Sequence, residues 1–402
     1  MKVEGGVCAA KGFLASGVHC GIRKNKNKKD LALIVSEVPA SAACVYTKNL
    51  VKGAPIAVTK KNVANGIAQA IICNSGNANT CNSNGIEIAE QMCELVEKAT
   101  KIPSSDVIVA STGVIGQKLS IDPIKNSMDI LVKALGKKSE DANLAIMTTD
   151  TTKKEVAFSF FIGDKECKIG GIAKGSGMIH PNMATMLVFV TTDCAITSEM
   201  ISKALSEDIL DSFNMVSVDG DTSTNDMVSV LANGMANNKL IACEGEDYFT
   251  FKKNLNKVTT YLCREIAKDG EGATKLLECK ANNFADKDSA RKVAKSVITS
   301  SLFKAAMFGA DANWGRALCA IGYSGADVDI NKIDVSFMSE KGIIEVCKDG
   351  AGLDFDEAKA KEILLQKEIT ILIDGKSGDS FATAWGCDLT YDYVKINGDY
   401  RT

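Results

Sequence analysis

The chain has 402 residues, of which 46% are hydrophobic and 24% charged, a composition typical of a globular protein with two or three core-bearing units. The formal net charge of −3 offers no basic surface for nucleic acid, so we expect no nucleic-acid partner. The only cationic run, Lys24–Lys29, is typical of a solvated loop.

The fourteen cysteines are spread singly, often within apolar runs, and none forms a Cys-x-x-Cys pair. With only two histidines, His19 and His180, this pattern argues against a zinc site. We therefore predict no metal, and free thiols in a reducing cytoplasm. The sequence has neither the apolar core of a secretion signal nor an uninterrupted apolar run of about 18 residues, so we expect a cytoplasmic protein without a membrane partner.

In chain order, short apolar and partly β-branched runs predict strands over 31–46 and 67–73. The polar cluster Asn74–Asn79 follows, and it suits either a turn or a place in a site. A helix is predicted over about 86–99, where apolar residues recur every three or four positions.

A buried strand over 107–110 ends in Ser111, Thr112 and Gly113. A hydroxyl and an unhindered backbone N–H at this point are the donors that a tetrahedral oxyanion needs, although most Thr-Gly pairs are turns. The hydroxyl-rich stretch 147–152 suits helix or turn capping and precedes a predicted strand over 156–162.

Residues 168–190 combine a glycine-rich loop with a predicted buried strand over 186–190. Thr185 stands where they meet. A threonine hydroxyl needs a base, and cleavage of the Ala184–Thr185 bond would provide one, because the new α-amine has a pKa of about 8. The alternative is that Thr185 is an ordinary β-branched residue at the start of a strand.

Downstream, Ser198 is predicted to N-cap a helix that ends near Phe213. The acidic, hydroxyl-rich stretch 217–226 suits a rigid turn network better than a Ca²⁺ loop, since it lacks the spacing of an EF-hand. Glu271 lies between two glycines, which suits a carboxylate pointed at a cation. A long helix is predicted over about 289–307. Predicted strands complete the chain at 333–338, 368–373 and 381–396.

Residues 174–187, Lys-Gly-Ser-Gly-Met-Ile-His-Pro-Asn-Met-Ala-Thr-Met-Leu, resemble the processing-site signature of the ornithine acetyltransferase family of arginine biosynthesis. The resemblance runs from Gly12–Gly17 to Tyr400–Thr402 and departs at Ala312, where the family usually has proline. It implies an α/β/β/α sandwich like that of self-processing amidohydrolases, with a further smaller α/β domain. The irregular alternation of strands and helices is consistent with this layered architecture.

The resemblance also implies cleavage into an alpha chain, 1–184, and a beta chain, 185–402, assembled as a heterotetramer of two copies of each. It makes Thr185 the nucleophile and assigns the oxyanion hole to Thr112 and Gly113. The remaining implied residues are substrate contacts: Thr151, Lys174, Glu271, Asn397 and Thr402. Thr149 and Thr152 are the alternatives to Thr151.

The implied activity moves an acetyl group from N-acetylornithine to glutamate through acetyl-Thr185, releasing ornithine, with no cofactor. Acetyl-CoA as a second donor is equally compatible with these residues. Two alternatives stay open at this point. One is a related amidohydrolase or aminopeptidase with water as acceptor, and the other is a non-catalytic binding protein that retains the loop.

Overall fold

The computed structural model describes residues 1–180 and 186–399. Within them the chain forms two β-sheets and eleven α-helices. The strands are β1 (Lys2–Val3), β2 (Phe13–Val18), β3 (Leu31–Tyr46), β4 (Ile67–Asn77), β5 (Val107–Val114), β6 (Lys154–Ile162), β7 (Lys165–Lys174), β8 (Leu187–Thr192), β9 (Val216–Ser217), β10 (Met227–Ala232), β11 (Leu276–Phe284), β12 (Asp334–Ser339), β13 (Gly342–Lys348), β14 (Ala351–Gly352), β15 (Glu368–Asp374) and β16 (Ser380–Cys387).

The helices lie between these strands and after the last of them. They are α1 (Ala54–Asn62), α2 (Gly85–Thr100), α3 (Asp122–Lys133), α4 (Glu140–Ile146), α5 (Ser198–Asp208), α6 (Glu246–Lys268), α7 (Lys287–Thr299), α8 (Ser301–Phe308), α9 (Trp314–Gly322), α10 (Glu357–Leu364) and α11 (Tyr391–Gly398). Among the residues described, no helix is both long and apolar enough to cross a membrane.

The larger sheet is organised around the 16-residue strand β3. Its strand order is β1-β6-β7-β8-β10-β3-β4-β5, and β2 also pairs with β3. The first half of β3 pairs with β2 and β4, whereas its second half pairs with β10. A register shift against β4 between Val35 and Ala40 separates the two halves. Such an irregularity lets a strand bend and take part in two parts of a sheet.

The alternating faces of β3 show how the layers stack. On one face, Ile34, Ile71 and Phe189 belong to a single buried cluster that joins both halves of the sheet. The short helix α4 lies against this face and contacts β2, β4 and β7. On the opposite face, Leu33 packs with α1–α3, and Val45 belongs to the cluster of α5 and α6. The sheet therefore folds over on itself between two helical layers, which is the predicted α/β/β/α sandwich.

The smaller sheet has the strand order β14-β13-β12-β15-β11-β16-β9. Helix α7 packs on β11 and β16, and α10 packs on β12. Helix α6 contacts β6 and β7 of the larger sheet as well as β16 and β11 of the smaller one. The apolar faces of α6 and of both sheets form one continuous core. The additional α/β domain is thus confirmed and shares its core with the sandwich.

Most predicted elements are confirmed to within a few residues, but two helices are corrected. The helix predicted over 289–307 is two helices, because Ser300 takes an extended backbone and its hydroxyl accepts from the N–H of Phe303 to cap α8. Helix α5 is capped by Thr197, not Ser198, and ends at Asp208. Phe213 instead begins a 3₁₀ turn before β9.

The C-terminal strand predicted to 396 is wrong beyond Cys387, where α11 follows. Aromatic and β-branched residues such as Val394 favour a strand by composition. The helix begins because the Thr390 hydroxyl accepts from the N–H of Tyr393, and Asp392 and Lys395 suit the helix dipole at its two ends. Its side chains form no buried face among the described residues, so no apolar periodicity marks it.

Candidate active site

A cavity of about 290 Å³ lies where β5, the end of β7, the turn before β11 and α11 meet. Its wall includes five residues that the sequence analysis assigned to a site. They are Thr112, Gly113, Lys174, Glu271 and Asn397. The other lining residues are Ala78, Val114, Ile115, Thr148, Thr149, Gly177, Met178, Ser223, Thr224 and Asn225. We call this space the site cavity.

Thr112 and Gly113 lie within β5, where it runs parallel to the end of β4. Gly113 has a φ of +130°, and a Cβ there would lie 2.3 Å from the carbonyl carbon of Gly76. Only glycine allows this approach of two backbones. The close pairing fixes Thr112, which is buried, on the cavity wall. A fixed hydroxyl and a neighbouring peptide suit the stabilisation of an oxyanion.

Lys174 is the last residue of β7 and is buried beside Asp150. Burial lowers the pKa of the Lys174 ammonium group, and the Asp150 carboxylate acts in the opposite direction. Burial opposes ionisation of Asp150, but the ammonium groups of Lys154 and Lys174 hold the pKa of this carboxyl below its usual value. Asp150 is oriented by Lys154 Nζ at 2.7 Å and the Gly175 N–H at 2.7 Å. Lys174 thus places its amino group on the wall of the site cavity, beside an oriented carboxylate.

Glu271 places a buried carboxylate on another part of the same wall. Its backbone N–H donates to the Ser176 carbonyl over 2.9 Å, and Asn397 Nδ2 donates to its Oε2 over 2.8 Å. A Cβ on Gly177 would lie 2.3 Å from the Glu271 carboxyl carbon, so the glycine lets the carboxylate lie directly on the loop. Lys174 and Glu271 together offer opposite charges to a zwitterionic ligand.

Asn225 is a site residue that the sequence analysis did not single out. Its Nδ2 donates to the carbonyls of Ala78, at 2.5 Å, and Ser111, at 2.9 Å. Its Oδ1 accepts from the hydroxyls of Thr80 and Thr224, each at 2.6 Å. These contacts hold the Asn74–Asn79 segment and the end of β5 at fixed positions. The sequence feature that could have identified Asn225 was its side-chain amide within a turn that is otherwise acidic and rich in hydroxyls.

The stretch 217–226 is the predicted rigid turn network, and it holds the loop that precedes Pro181. Asp219 accepts from the backbone N–H groups of Met178, at 2.6 Å, and Ile179, at 2.9 Å. The Thr222 hydroxyl donates to the His180 carbonyl over 2.7 Å. Among the described residues, no cluster of His, Cys, Asp and Glu has the arrangement of a metal site.

His180 lies at the end of the described part of this loop. Its Nδ1 is 3.1 Å from the Ser217 hydroxyl, and burial followed by the nearby Lys295 lowers its pKa to about 4. The imidazole is therefore neutral at pH 7. Ala184 and Thr185, which carry the predicted cleavage, lie outside the described residues, as does Thr402.

Thr151 is not among the residues that line the site cavity. Its N–H donates to Asp269 Oδ2 over 3.0 Å, its hydroxyl binds the same carboxylate, and it lines a neighbouring cavity beside α11. Thr149, one of the two register alternatives, lines the site cavity together with Thr148. The turn that follows α4 therefore presents its first two threonines to the cavity, because Asp269 holds the third.

Known proteins resemble this chain over its length. A family model described as the ArgJ family matches residues 14–402. The arginine biosynthesis bifunctional protein ArgJ 1 of Clostridium acetobutylicum is 51% identical over 97% of this chain and 96% of its own length. The arginine biosynthesis bifunctional protein ArgJ of Caldanaerobacter subterraneus subsp. tengcongensis is 49% identical over 100% of this chain and 99% of its own length.

A crystal structure of arginine biosynthesis bifunctional protein ArgJ from Bacillus halodurans is 44% identical, with a TM-score of 0.50. The structural match covers 53% of this chain and 98% of the solved chain. The family match and the two full-length relatives confirm the resemblance that residues 174–187 predicted. This chain belongs to the ArgJ family.

Proposed function

We propose that this protein transfers an acetyl group from N-acetylornithine to glutamate, releasing ornithine and forming N-acetylglutamate. The observation that carries the proposal is the meeting of Thr112, Gly113, Lys174 and Glu271 in one cavity of about 290 Å³. Membership of the ArgJ family, whose relatives are named as arginine biosynthesis proteins, gives this geometry its chemical context.

The charges in the cavity suit an amino acid. The free side-chain ammonium group of N-acetylornithine would be drawn to the Glu271 carboxylate, and its α-carboxylate to the Lys174 ammonium group. Asn397 fixes the orientation of Glu271, so an incoming amine meets a carboxylate already in place. N-acetylornithine and glutamate both carry an α-carboxylate, which Lys174 would bind in each half-reaction.

The proposed chemistry has two steps. Thr185 attacks the acetyl carbonyl of N-acetylornithine, its hydroxyl proton passes through its own α-amine to the leaving ornithine nitrogen, and acetyl-Thr185 forms. The glutamate amine then attacks the ester, and Thr185 regains its proton. The Thr112 hydroxyl and the Gly113 peptide would hold the oxyanion of each tetrahedral intermediate, which is usually the largest single stabilising contribution.

The α-amine exists only after cleavage between Ala184 and Thr185, so self-cleavage into 1–184 and 185–402 is part of the proposal. Two observations support it. The network of Asp219 and Thr222 holds the preceding loop at Met178–His180. The match to the Bacillus halodurans structure covers 98% of the solved chain but 53% of this one. This is expected if the solved chain is one of two pieces of a cleaved polypeptide.

We further propose a heterotetramer of two alpha and two beta chains in the cytoplasm, without a metal or bound cofactor. The deciding experiment supplies N-acetylornithine carrying a labelled acetyl group, with and without glutamate. Transfer of label to glutamate, together with two bands on a denaturing gel, supports the proposal. Release of labelled acetate at the same rate with or without glutamate would instead indicate a hydrolase. An uncut, inactive chain would contradict both enzymes.

A further inference from the structure

The carboxyl group of Asp226 is buried directly before β10, next to the site cavity. Only 2% of the residue is exposed, and its Oδ2 has no hydrogen-bond partner among the residues that the structure describes. The three residues before it, Ser223, Thr224 and Asn225, all line the site cavity. A buried carboxyl oxygen without a partner costs stability, so folded proteins hold few of them, and a catalytic role is one reason to keep such a group.

The pairing of β8 with β10 places Asp226 close in register to the predicted cleavage bond. The two strands are parallel, and Met227 lies opposite Leu187. The Met227 N–H donates to the Met186 carbonyl over 2.9 Å. Asp226 therefore lies at the register position of Met186, the residue that is covalently joined to Thr185.

Few charged or polar groups surround the Asp226 carboxyl. Lys174 is the charged group that acts on it, and the hydroxyls of Ser223 and Thr47 lie beside it. Burial raises the pKa of Asp226 well above its usual value, although these hydroxyls and the Lys174 ammonium group act in the opposite direction. A carboxyl whose pKa is raised toward neutral accepts and returns a proton more readily. The other residues nearest to it in the strand register are uncharged: Met186, Leu187 and Tyr46.

Self-cleavage needs a base that the uncut chain itself provides. Before cleavage the Thr185 nitrogen belongs to an amide, so the α-amine that serves acetyl transfer is absent. His180 is a weak base, because burial and the nearby Lys295 lower its pKa to about 4. The Glu271 carboxylate already accepts from Asn397. Asp226 instead combines an unpartnered oxygen with a place in the strand register beside the residue that follows Thr185.

We propose that Asp226 is the general base of self-cleavage, which takes the proton of the Thr185 hydroxyl and returns it to the departing nitrogen. The inference rests on the proposed self-cleavage and adds the proton-transfer residue to it. General acid–base groups of this kind typically accelerate a reaction by roughly 10²- to 10⁴-fold. Asp226 would thus determine whether the Thr185 α-amine forms at a useful rate.

The proposed step is balanced in atoms and protons. The Thr185 oxygen attacks the carbonyl carbon of Ala184 while the hydroxyl proton moves to Asp226 Oδ2. The carbon–nitrogen bond breaks, and the proton passes from Asp226 to the Thr185 nitrogen, which becomes the α-amine. Water then hydrolyses the ester, which yields the Ala184 carboxylate and restores the Thr185 hydroxyl. One water is consumed, and Asp226 returns to its starting state.

The test follows cleavage in newly made chains. Wild type, Asp226→Asn and Asp226→Glu are labelled during brief cell-free synthesis and transferred to buffers between pH 5 and pH 8. Denaturing gels then follow the appearance of fragments 1–184 and 185–402. Asparagine keeps the shape of the side chain but cannot accept the proton, whereas glutamate keeps the carboxyl. Near-UV circular dichroism reports whether each purified variant is folded.

Asp208→Asn is the matched control. Asp208 lies on α5, is also buried, and has a pKa that burial raises. It accepts from the Ser212 hydroxyl at 2.9 Å and from Asn256 Nδ2 at 2.7 Å, and it does not line the site cavity. This variant therefore reports the effect of neutralising a buried carboxyl elsewhere in the fold, and we expect it to cleave within about twofold of the wild-type rate.

We expect Asp226→Asn to cleave roughly 10²-fold or more slowly than wild type at pH 8, and Asp226→Glu to cleave at least about tenfold faster than Asp226→Asn. The wild-type rate should fall as the pH decreases, because a protonated carboxyl cannot act as a base, and Asp226→Asn should lose this dependence. A merely structural role would slow cleavage without changing the pH profile. If Asp226→Asn does not fold, wild type and Asp226→Glu decide, and a rate independent of pH in both would contradict the proposal.

The remaining outcomes separate this inference from the proposed function. Cleavage of folded Asp226→Asn at the wild-type rate, equal slowing in Asp208→Asn, or an unchanged pH profile in Asp226→Asn would overturn the role of Asp226 and leave self-cleavage standing. A wild-type chain that stays uncut would overturn self-cleavage itself, and the role of Asp226 with it.

Discussion

Asn397 Nδ2 donates to Glu271 Oε2 over 2.8 Å, a contact between two residues 126 positions apart. It joins the last described helix, α11, to the turn before β11 and places both side chains on the site cavity. Asn397 also donates to the Tyr393 carbonyl within α11, which fixes its amide. The C-terminal helix therefore contributes to the site although none of its residues is buried.

This contact leads to a prediction for substrate binding. Asn397→Leu removes the donor that orients Glu271, and we expect the KM of N-acetylornithine to rise roughly tenfold, the effect of about 1.4 kcal/mol. Asn397→Asp should raise it further, because a second carboxylate beside Glu271 disfavours its charged form. Steady-state kinetics of both variants check this. A KM unchanged in Asn397→Asp would remove Glu271 from the amine site.

The nucleophile is tested by Thr185→Ala. We expect this variant to stay uncut and inactive, because cleavage and acetyl transfer use the same hydroxyl. Thr185→Ser is the matched control, since it keeps the hydroxyl and should still cleave into 1–184 and 185–402. Denaturing gels and intact mass spectrometry report the outcome. Cleavage of Thr185→Ala at the same bond would exclude Thr185 from the mechanism.

For the oxyanion donor, Thr112→Val exchanges the hydroxyl for a methyl group of similar shape. Because the donor acts mainly in the transition state, kcat should fall roughly 10²-fold while KM changes little. Thr112→Ser should restore most of the rate. If kcat is unaltered in Thr112→Val, the oxyanion is held by other groups.

Two glycines of the site cavity are predicted to respond differently to alanine. In Gly177→Ala the new Cβ meets the end of the flexible Glu271 side chain at 2.3 Å, so the carboxylate is displaced and KM rises with little loss of stability. In Gly113→Ala the Cβ meets the Gly76 backbone at 2.3 Å and φ is +130°, so strand pairing is strained and stability falls by about 2 kcal/mol or more. Denaturant unfolding together with kinetics separates the two, and equal stability losses would contradict the difference.

Sequence reasoning predicts the sandwich well where elements bury one regular face. The strand over 31–46 and the helix near 86–99 are confirmed, because their apolar residues follow a simple period. Helix α6 was not predicted, although Tyr248, Phe251 and Leu255 show helical spacing and are buried.

The site itself was predicted less evenly. Thr112, Gly113 and Lys174 were placed through family resemblance, and they do meet in one cavity. Thr151 lies outside this cavity and stays a prediction as a substrate contact; its position depends on Asp269, 118 residues away. Asn225 was missed for the same reason, because its partners Ala78 and Ser111 are far from it in sequence. Long-range hydrogen bonds leave no local pattern.

The last prediction concerns pH and the loop before the cleavage bond. Burial, followed by the nearby Lys295, lowers the pKa of His180 to about 4 in the folded protein, against about 6.5 in an unfolded chain. Between these pH values the unfolded chain binds a proton on His180 that the folded protein does not. The contribution of His180 to the free energy of unfolding is therefore complete above about pH 6.5 and is lost progressively as the pH falls toward about 4. Wild-type protein should therefore lose stability relative to His180→Gln on going from pH 7 to pH 5.

We expect the difference between the two proteins to change by about 1 kcal/mol, less than the full pKa difference would give, because the ring is partly exposed. Glutamine suits the comparison because its amide can still reach the Ser217 hydroxyl that lies 3.1 Å from His180 Nδ1, and it does not titrate. Urea unfolding at pH 7 and pH 5 measures both free energies, and the comparison cancels the acid effects that the proteins share. A difference that stays constant between the two pH values would show that His180 is not held neutral by its surroundings.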